Sequence, residues 1–336
     1  MMNNGAMINM ILSGKKILVT GGSGMIGREL IDLLLNKKCD IYVASIDRNV
    51  ELPSGITFKY ADLRDFQNCI KVMEGMDVVF NLVGIKASPK ILAEKPASSF
   101  VPHLQFNTNT MEAAMKNNVE WYMYTSTVGV YETEDVEILT EDDVWLTFPS
   151  KNDWFGGWAK RMGELQAQAY EIEYKRKNIS VVRPGNVYGR YDNFDPENAM
   201  VIPSLISKAV NSKDGYFSVW GDGKTQRDFI HARDVARGML YCVEKEITEP
   251  INLGSGEAYT IKSIAEIIAE LTNTKIKWDT TKPSGDSKRL LDMTRAKLYG
   301  FESEMTLRDG IEDVLNWYME NKEFTKSRYN TFEEIK

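Results

Sequence analysis

A glycine-rich turn constrains this chain more than any other feature. Thr20-Gly21-Gly22-Ser23-Gly24-Met25-Ile26-Gly27 follows a short apolar run, Ile17-Leu18-Val19, and opens a segment, 25–35, whose apolar residues recur at helical spacing. In such a strand–turn–helix, Gly21 permits the tight turn, Gly24 lets a pyrophosphate approach the backbone, and Gly27 lets helix and strand pack closely. The helix N-terminus then turns unpaired N–H groups and a partial positive charge toward the phosphates. A second strand, Ile41-Tyr42-Val43-Ala44, runs on to Asp47, which lies 20 residues after Gly27. A carboxylate there suits a ribose 2′-hydroxyl and repels a 2′-phosphate. The segment therefore predicts dinucleotide binding, with NAD preferred to NADP; the neighbouring Arg48 is the one feature that would accept the 2′-phosphate. Ser23, Met25 and Ile26 line the same turn. Asp62-Leu63, after the third strand, is placed to reach the adenine, with a helix N-cap the competing role for Asp62.

Further strand-like runs follow at 57–60, 78–82, 121–124 and 179–183, separated by helical patterns at 66–74, 107–117 and 158–177. This alternation predicts an α/β fold, a Rossmann-like doubly wound parallel sheet with helices on both faces. After Arg183 the elements shorten: 202–210, 263–271 and 307–318 read as helices, and 216–220 and 251–253 as strands. The expected organisation is a disordered leader over 1–14 and a dinucleotide-binding domain over 15–183. A smaller C-terminal substrate-binding lobe over 184–324, interleaved with the first domain, and a loose tail over 325–336 complete it. Specificity is expected between the lobes.

Composition excludes several classes. A chain of 336 residues with 43% hydrophobic and 26% charged residues builds a stable core without staples. Its net charge of −7 gives no footprint for nucleic acid. No run approaches the roughly 18 apolar residues of a membrane span. The leader also lacks the basic start of a signal peptide, so a cytoplasmic location is expected. Cys39, Cys69 and Cys242 read as small buried side chains in a reducing compartment. His103, on an apparent loop before a helix, and His231 form no metal-ligand cluster, so no metal is expected.

A series of motifs then converges. The TGGxGxxG turn, Asp62-Leu63, Thr125-Ser126-Thr127 ahead of Val130-Tyr131, and Lys160 together resemble the extended short-chain dehydrogenase/reductase family, also called NAD-dependent epimerases/dehydratases. Arg183-Pro184-Gly185-Asn186-Val187-Tyr188-Gly189 resembles that family's entry to the substrate lobe. The run 192–198, Val201-Ile202-Pro203, Trp220-Gly221-Asp222-Gly223 and Arg227-Asp228-Phe229-Ile230-His231 are similar to its nucleotide-sugar branch that contains GDP-L-fucose synthase. So are Asn252-Leu253-Gly254-Ser255-Gly256 and Lys282-Pro283-Ser284-Gly285. The resemblance covers roughly residues 15–320. It implies that Thr127 hydrogen-bonds the sugar oxygen that gains or loses a proton, and that Lys160 binds the nicotinamide ribose, with Val83 completing the cofactor set. It implies Asn186, Val201, Lys208, Trp220, Arg227 and Arg289 as nucleotide-sugar contacts. Arg227 suits a diphosphate through its planar fork, and Lys208 keeps a charge without that fork. Interlobe ion pairing is the competing role for Arg227 and Arg289. A homodimer through the stripes at 107–117 and 158–177 is likewise implied, although the same stripes are compatible with plain core.

One residue is missing. The family's catalytic tyrosine belongs four positions before Lys160, and Gly156 stands there. The cysteine and histidine of the GDP-L-fucose synthase branch are replaced by Gly129 and Met200, and Val128-Gly129 lack the acid pair of 4,6-dehydratases. Candidates for the proton work are Lys160, Tyr131 and Glu132, Asp153, or a water held by Thr127 and Lys160. The expected function is an NAD-linked nucleotide-sugar epimerase or oxidoreductase, GDP-sugars preferred, with a non-standard acid or base. The alternative is a catalytically silent module that binds cofactor and nucleotide-sugar as a regulatory or partner subunit.

Overall fold

The computed structural model describes residues 10–48, 50–86, 88–132, 136–195, 198–281, 288–322 and Phe332. Its strands are β1 (Lys16–Thr20), β2 (Asp40–Ser45), β3 (Thr57–Tyr60), β4 (Val78–Asn81), β5 (Trp121–Thr125), β6 (Ile138–Leu139), β7 (Ile179–Pro184) and β8 (Asn186–Tyr188). They continue with β9 (Tyr216–Trp220), β10 (Gln226–Arg227), β11 (Phe229–His231), β12 (Ile251–Leu253), β13 (Tyr259–Thr260), β14 (Lys275–Asp279) and β15 (Lys288–Leu291). The helices are α1 (Met25–Leu34), α2 (Phe66–Met73), α3 (Pro89–Glu94), α4 (Pro96–Lys116) and α5 (Trp154–Tyr174). After them come α6 (Val201–Val210), α7 (Ala232–Glu244), α8 (Ile261–Thr272), α9 (Thr294–Leu298) and α10 (Leu307–Glu320).

Seven parallel strands make the central sheet in the order β12-β7-β5-β4-β1-β2-β3. This is the doubly wound α/β sheet expected from the sequence. Strand periodicity sorts its side chains: Ile17 and Val19 join the core beneath α1 and α7, while Leu18 joins the core beneath α2 and α4. From β1 the chain winds outward to β2 and β3, then returns to the other side through β4. The order reverses between β1 and β4, and the carboxyl ends of strands at such a point frame a ligand crevice.

The C-terminal elements form a second core, in which Ile202, Ile206, Phe217, Ile264, Ile268, Ile311 and Val314 are buried together. The two units share strands. β12, from beyond residue 184, is an edge strand of the large sheet, and β6, from before it, pairs with β15 in the sheet β13-β10-β15-β6.

Three local expectations need correction. Leader residues 1–9 lie outside the described residues, but the rest of the leader is packed: Met10 and Leu12 are buried, and the Met10 N–H donates to the Glu244 carbonyl. In the tail, Phe332 is buried and its carbonyl accepts from Lys95 Nζ at 3.0 Å. His103 is not on a loop but buried inside α4, which begins at Pro96 and carries Pro102 within it. Pro102 removes one backbone donor, which is why the sequence pattern suggested a later start.

Candidate active site

The glycine turn forms a tight cradle. Gly21 has φ of +66°, and a Cβ on Gly27 would stand 2.6 Å from the Gly22 Cα. Neither position admits a larger residue without moving backbone. Gly24 caps α1 with no side-chain hydrogen bond to the first-turn N–H groups, which leaves them to an anion. Asp47 is held at the end of β2 by Ser23 Oγ, which donates to it at 2.6 Å, and by Ser45 Oγ at 3.3 Å. The residues therefore fit a dinucleotide: glycines where a pyrophosphate needs access, and an oriented carboxylate where a ribose needs an acceptor. Met25 is buried and Ile26 packs partly buried against the core behind this cradle. Val83, partly buried, follows β4 beside the turn, where a Cβ on Gly21 would meet its backbone N at 3.0 Å. Arg48 is exposed and lies over the Tyr60 ring.

Asp62 does not cap a helix. Its carboxylate takes a forked pair of bonds from Arg64, and the cap of α2 is Asp65, which accepts from the Gln67 N–H. Leu63 is buried in the core, so its side chain is not presented to a ligand.

The carboxyl end of β5 leads into the segment that carries Thr127. Lys160, buried on α5, donates from Nζ to the Thr125 carbonyl at 2.8 Å, two residues before Thr127. Burial pulls the Lys160 ammonium down to about 8, against the opposing pull of Asp153 and Glu164. The half-buried Thr127 hydroxyl accepts from the Gly129 N–H at 3.2 Å, leaving its own hydrogen for another acceptor. Beneath it, Ser126 donates to Glu164, which is paired with Arg183 at 2.6 Å; Arg183 also reaches the Tyr131 hydroxyl. This buried network fixes the strand end, and it accounts for Tyr131, whose hydroxyl is spent on Asn252 and whose pKa burial pushes up. Tyr131 is thus no proton donor for a ligand. His103 is held neutral, its pKa pressed down to about 3 by burial and by the nearby Lys160 charge. Its Nε2 accepts from the Ile85 N–H, so Nδ1 donates to the Ser99 carbonyl.

The space in front of Gly156, where the family resemblance expects a tyrosine, is filled. A Cβ on Gly156 would stand 2.3 Å from Asp153 Oδ1, and a Cβ on Gly129 would stand 2.1 Å from Asp153 Oδ2. One carboxylate therefore occupies the space in front of both glycines. The opposing loop is clamped there: Arg161 donates from Nε to the Val130 carbonyl at 2.8 Å, and a Cβ on Gly157 would stand 2.4 Å from the Gly129 carbonyl oxygen. Burial lifts the Asp153 carboxyl to about 6, against the pull of Arg289 and Lys160.

From the C-terminal elements, Arg289 comes within electrostatic reach of Asp153. Arg227 on β10 and Arg289 on β15 are register partners in a parallel pair. Asp228 holds the pair in place by accepting from the Ser255 N–H at 2.7 Å and the Leu291 N–H at 3.4 Å. Sequence reasoning passed over Asp228, because a structural carboxylate inside a motif looks no different from a ligand contact. Asn186 spends its side-chain N–H on the Asp228 carbonyl. Lys208 lies over the exposed Trp220 ring at 5.5 Å, and the exposed Val201 opens α6. Lys86 was also missed. It joins the loop after β4 to the second lobe through Asp192 at 2.8 Å, a link that no spacing signals. Pro196 and Glu197 of the 192–198 run, and Lys282-Pro283-Ser284-Gly285, lie outside the described residues. His231 caps α7 through Nδ1, which accepts from the Arg233 N–H.

The model of the NAD dependent epimerase/dehydratase family matches residues 17–254. The GDP-L-fucose synthase of Sinorhizobium fredii is 28% identical over 319 residues, covering 93% of this chain and 98% of that protein. The GDP-L-fucose synthase of Escherichia coli is 30% identical over 246 residues, covering 68% of this chain and 75% of that one. Among solved structures, an epimerase from Methanothermobacter thermautotrophicus superposes with a TM-score of 0.81 at 25% identity, covering 94% of this chain and 95% of the other. The chain belongs to the NAD dependent epimerase/dehydratase family, within its nucleotide-sugar branch.

Proposed function

We propose that this member of the family is an NAD(P)-dependent nucleotide-sugar epimerase or oxidoreductase, with GDP-sugars preferred, that runs without the family tyrosine. The observation that carries the reading is Lys160, held on the strand end that presents Thr127, in front of an intact dinucleotide cradle. A bound nicotinamide dinucleotide supplies or accepts the hydride. Asp47 orients the adenosine ribose and favours NAD, Lys160 positions the nicotinamide ribose, and Thr127 donates to the reacting sugar oxygen. Arg227 and Arg289, side by side on adjacent strands, suit a diphosphate. The guanine preference rests on relatives named as GDP-L-fucose and GDP-L-colitose synthases. A homodimer through α4 and α5 is supported by Met162, Leu165 and Ile172, all exposed on one stripe of α5.

The test is mass spectrometry of a nucleotide-sugar panel incubated with the protein and NAD or NADP in heavy water. Solvent deuterium or a mass change in a GDP-sugar supports the reading, and the labelled carbon locates the chemistry. Cofactor binding with no change in any sugar sinks it and leaves the silent binding module.

A further inference from the structure

We propose that Asp153 is the acid–base residue of this enzyme, its carboxylate standing between Gly129 and Gly156 where it meets the reacting sugar hydroxyl. The inference rests on the functional reading above and names the group that reading leaves open.

Three observations converge on it. First, the two glycines and the carboxylate are one packing unit. Its two oxygens lie 2.3 Å and 2.1 Å from where the Cβ atoms of Gly156 and Gly129 would be, so any side chain at either glycine would evict it. The hole opened by losing a phenol is thus not a void for water but the seat of another oxygen acid. Second, the carboxylate is free to act. Among the described residues no hydrogen bond to either oxygen is found, although Asp153 is half-buried and its own N–H is fixed on the Ser150 carbonyl. A half-buried carboxylate with unspent acceptor capacity is costly unless a ligand completes it. Third, its surroundings are built for proton transfer. Lys160 from α5, the helix that follows it, and Arg289 from β15 are the charged groups that act on it, while burial opposes ionisation. The balance leaves it poised within a unit or so of neutrality, where a group can both give and take a proton.

In the reducing direction hydride reaches the carbonyl carbon of a keto-sugar, and protonated Asp153 gives its proton to the carbonyl oxygen. A C–H and an O–H bond form as the hydride donor's C–H bond, the C=O π bond and the Asp153 O–H bond break; a bound reduced nicotinamide dinucleotide would supply that hydride and its two electrons. The carboxylate recovers its proton from solvent. In the oxidising direction ionised Asp153 takes the sugar hydroxyl proton as hydride leaves the same carbon, for which a bound oxidised nicotinamide dinucleotide would be the acceptor. Lys160 and Arg289 hold the carboxylate charge in both directions.

The experiment compares the wild-type protein with Asp153→Asn and Gly156→Ala on the nucleotide-sugar that the panel identifies, over pH 4.5 to 8.5. Cofactor binding, followed by fluorescence titration, and thermal melting report on folding. We expect Asp153→Asn to bind cofactor normally and lose roughly 10²- to 10⁴-fold in kcat/KM. The wild-type oxidation rate should rise through a pKa near 6, and this limb should be absent in the variant. Gly156→Ala keeps the aspartate but displaces it, so it should also lose at least tenfold, and adding it to Asp153→Asn should cost little more. Asp153→Asn within threefold of wild type, or a pH limb that survives the substitution, overturns the assignment while the function stands. If Asp153→Asn does not fold, Gly156→Ala decides alone: activity within threefold of wild type overturns it. A wild-type protein that converts no sugar overturns both the function and the assignment.

Discussion

At the scale of single residues, the half-buried Asp153 links protonation to stability. Its carboxyl sits at about 6 in the folded chain against an ordinary value of 3.8, so between about pH 4 and pH 6 the folded state holds more proton than the unfolded one. Stability therefore falls as pH rises through that window, and the full cost is present above it. The cost is at most about 3 kcal/mol, reduced by the solvent that reaches the carboxylate. Urea unfolding at pH 4 and pH 7 should show Asp153→Asn gaining on the wild type as pH rises; parallel curves would contradict the shift. Restoring the family phenol tests the same packing. Gly156→Tyr alone should lower both stability and activity, because its Cβ already collides with Asp153, whereas Gly156→Tyr with Asp153→Ala should recover stability relative to Gly156→Tyr. Spacing from a strand end singled out the glycine turn and Asp47 as candidates, and the family resemblance singled out Thr127 and Lys160. The sequence placed Asp153 among the candidates by proximity to Gly156. It could not show that Gly129, 24 positions earlier, faces the same carboxylate, since that contact depends on how the loop after β5 folds onto α5.

At the scale of elements, strands were read more closely than helices. The 57–60, 216–220 and 251–253 runs match β3, β9 and β12 end to end. The start of α5 at Trp154 was hidden because Gly156 and Gly157 are poor helix formers; close packing of Gly157 against the Gly129 carbonyl overrides that propensity. What ties α5 to the sheet is the buried pair of Glu164 with Arg183 on β7. Glu164→Gln would leave the Arg183 guanidinium buried without its counter-charge, and should cost about 3–5 kcal/mol of unfolding free energy. Chemical denaturation reads this directly, and a cost below 1 kcal/mol would mean that the neighbouring hydroxyl and carbonyl acceptors suffice. The outward side of the same helix carries Met162 and Leu165. The homodimer proposed above predicts that glutamate at both positions yields a monomer in light-scattering chromatography, with the melting temperature changed by only a few degrees.

At the scale of the whole molecule, the alternation of strand and helix was enough to foretell the doubly wound sheet. The exchange of strands between its two units was not written in any local pattern: a two-residue strand such as β6 leaves no periodicity to detect, and its partner β15 lies some 150 residues on. The lobes are stitched together at β6 and β12, and again by Lys86 and Asp192. This stitching sets a timetable for biosynthesis. The sheet that carries the cofactor cradle lacks its edge strand until Leu253 has been made, 69 residues after β7 ends at Pro184. At ordinary translation speeds the bare edge of β7 waits on the ribosome for roughly 3 to 14 seconds. During that interval the nascent chain offers an open, apolar strand edge to any neighbour, so its passage to the folded state falls to whatever shields that edge until the second lobe arrives.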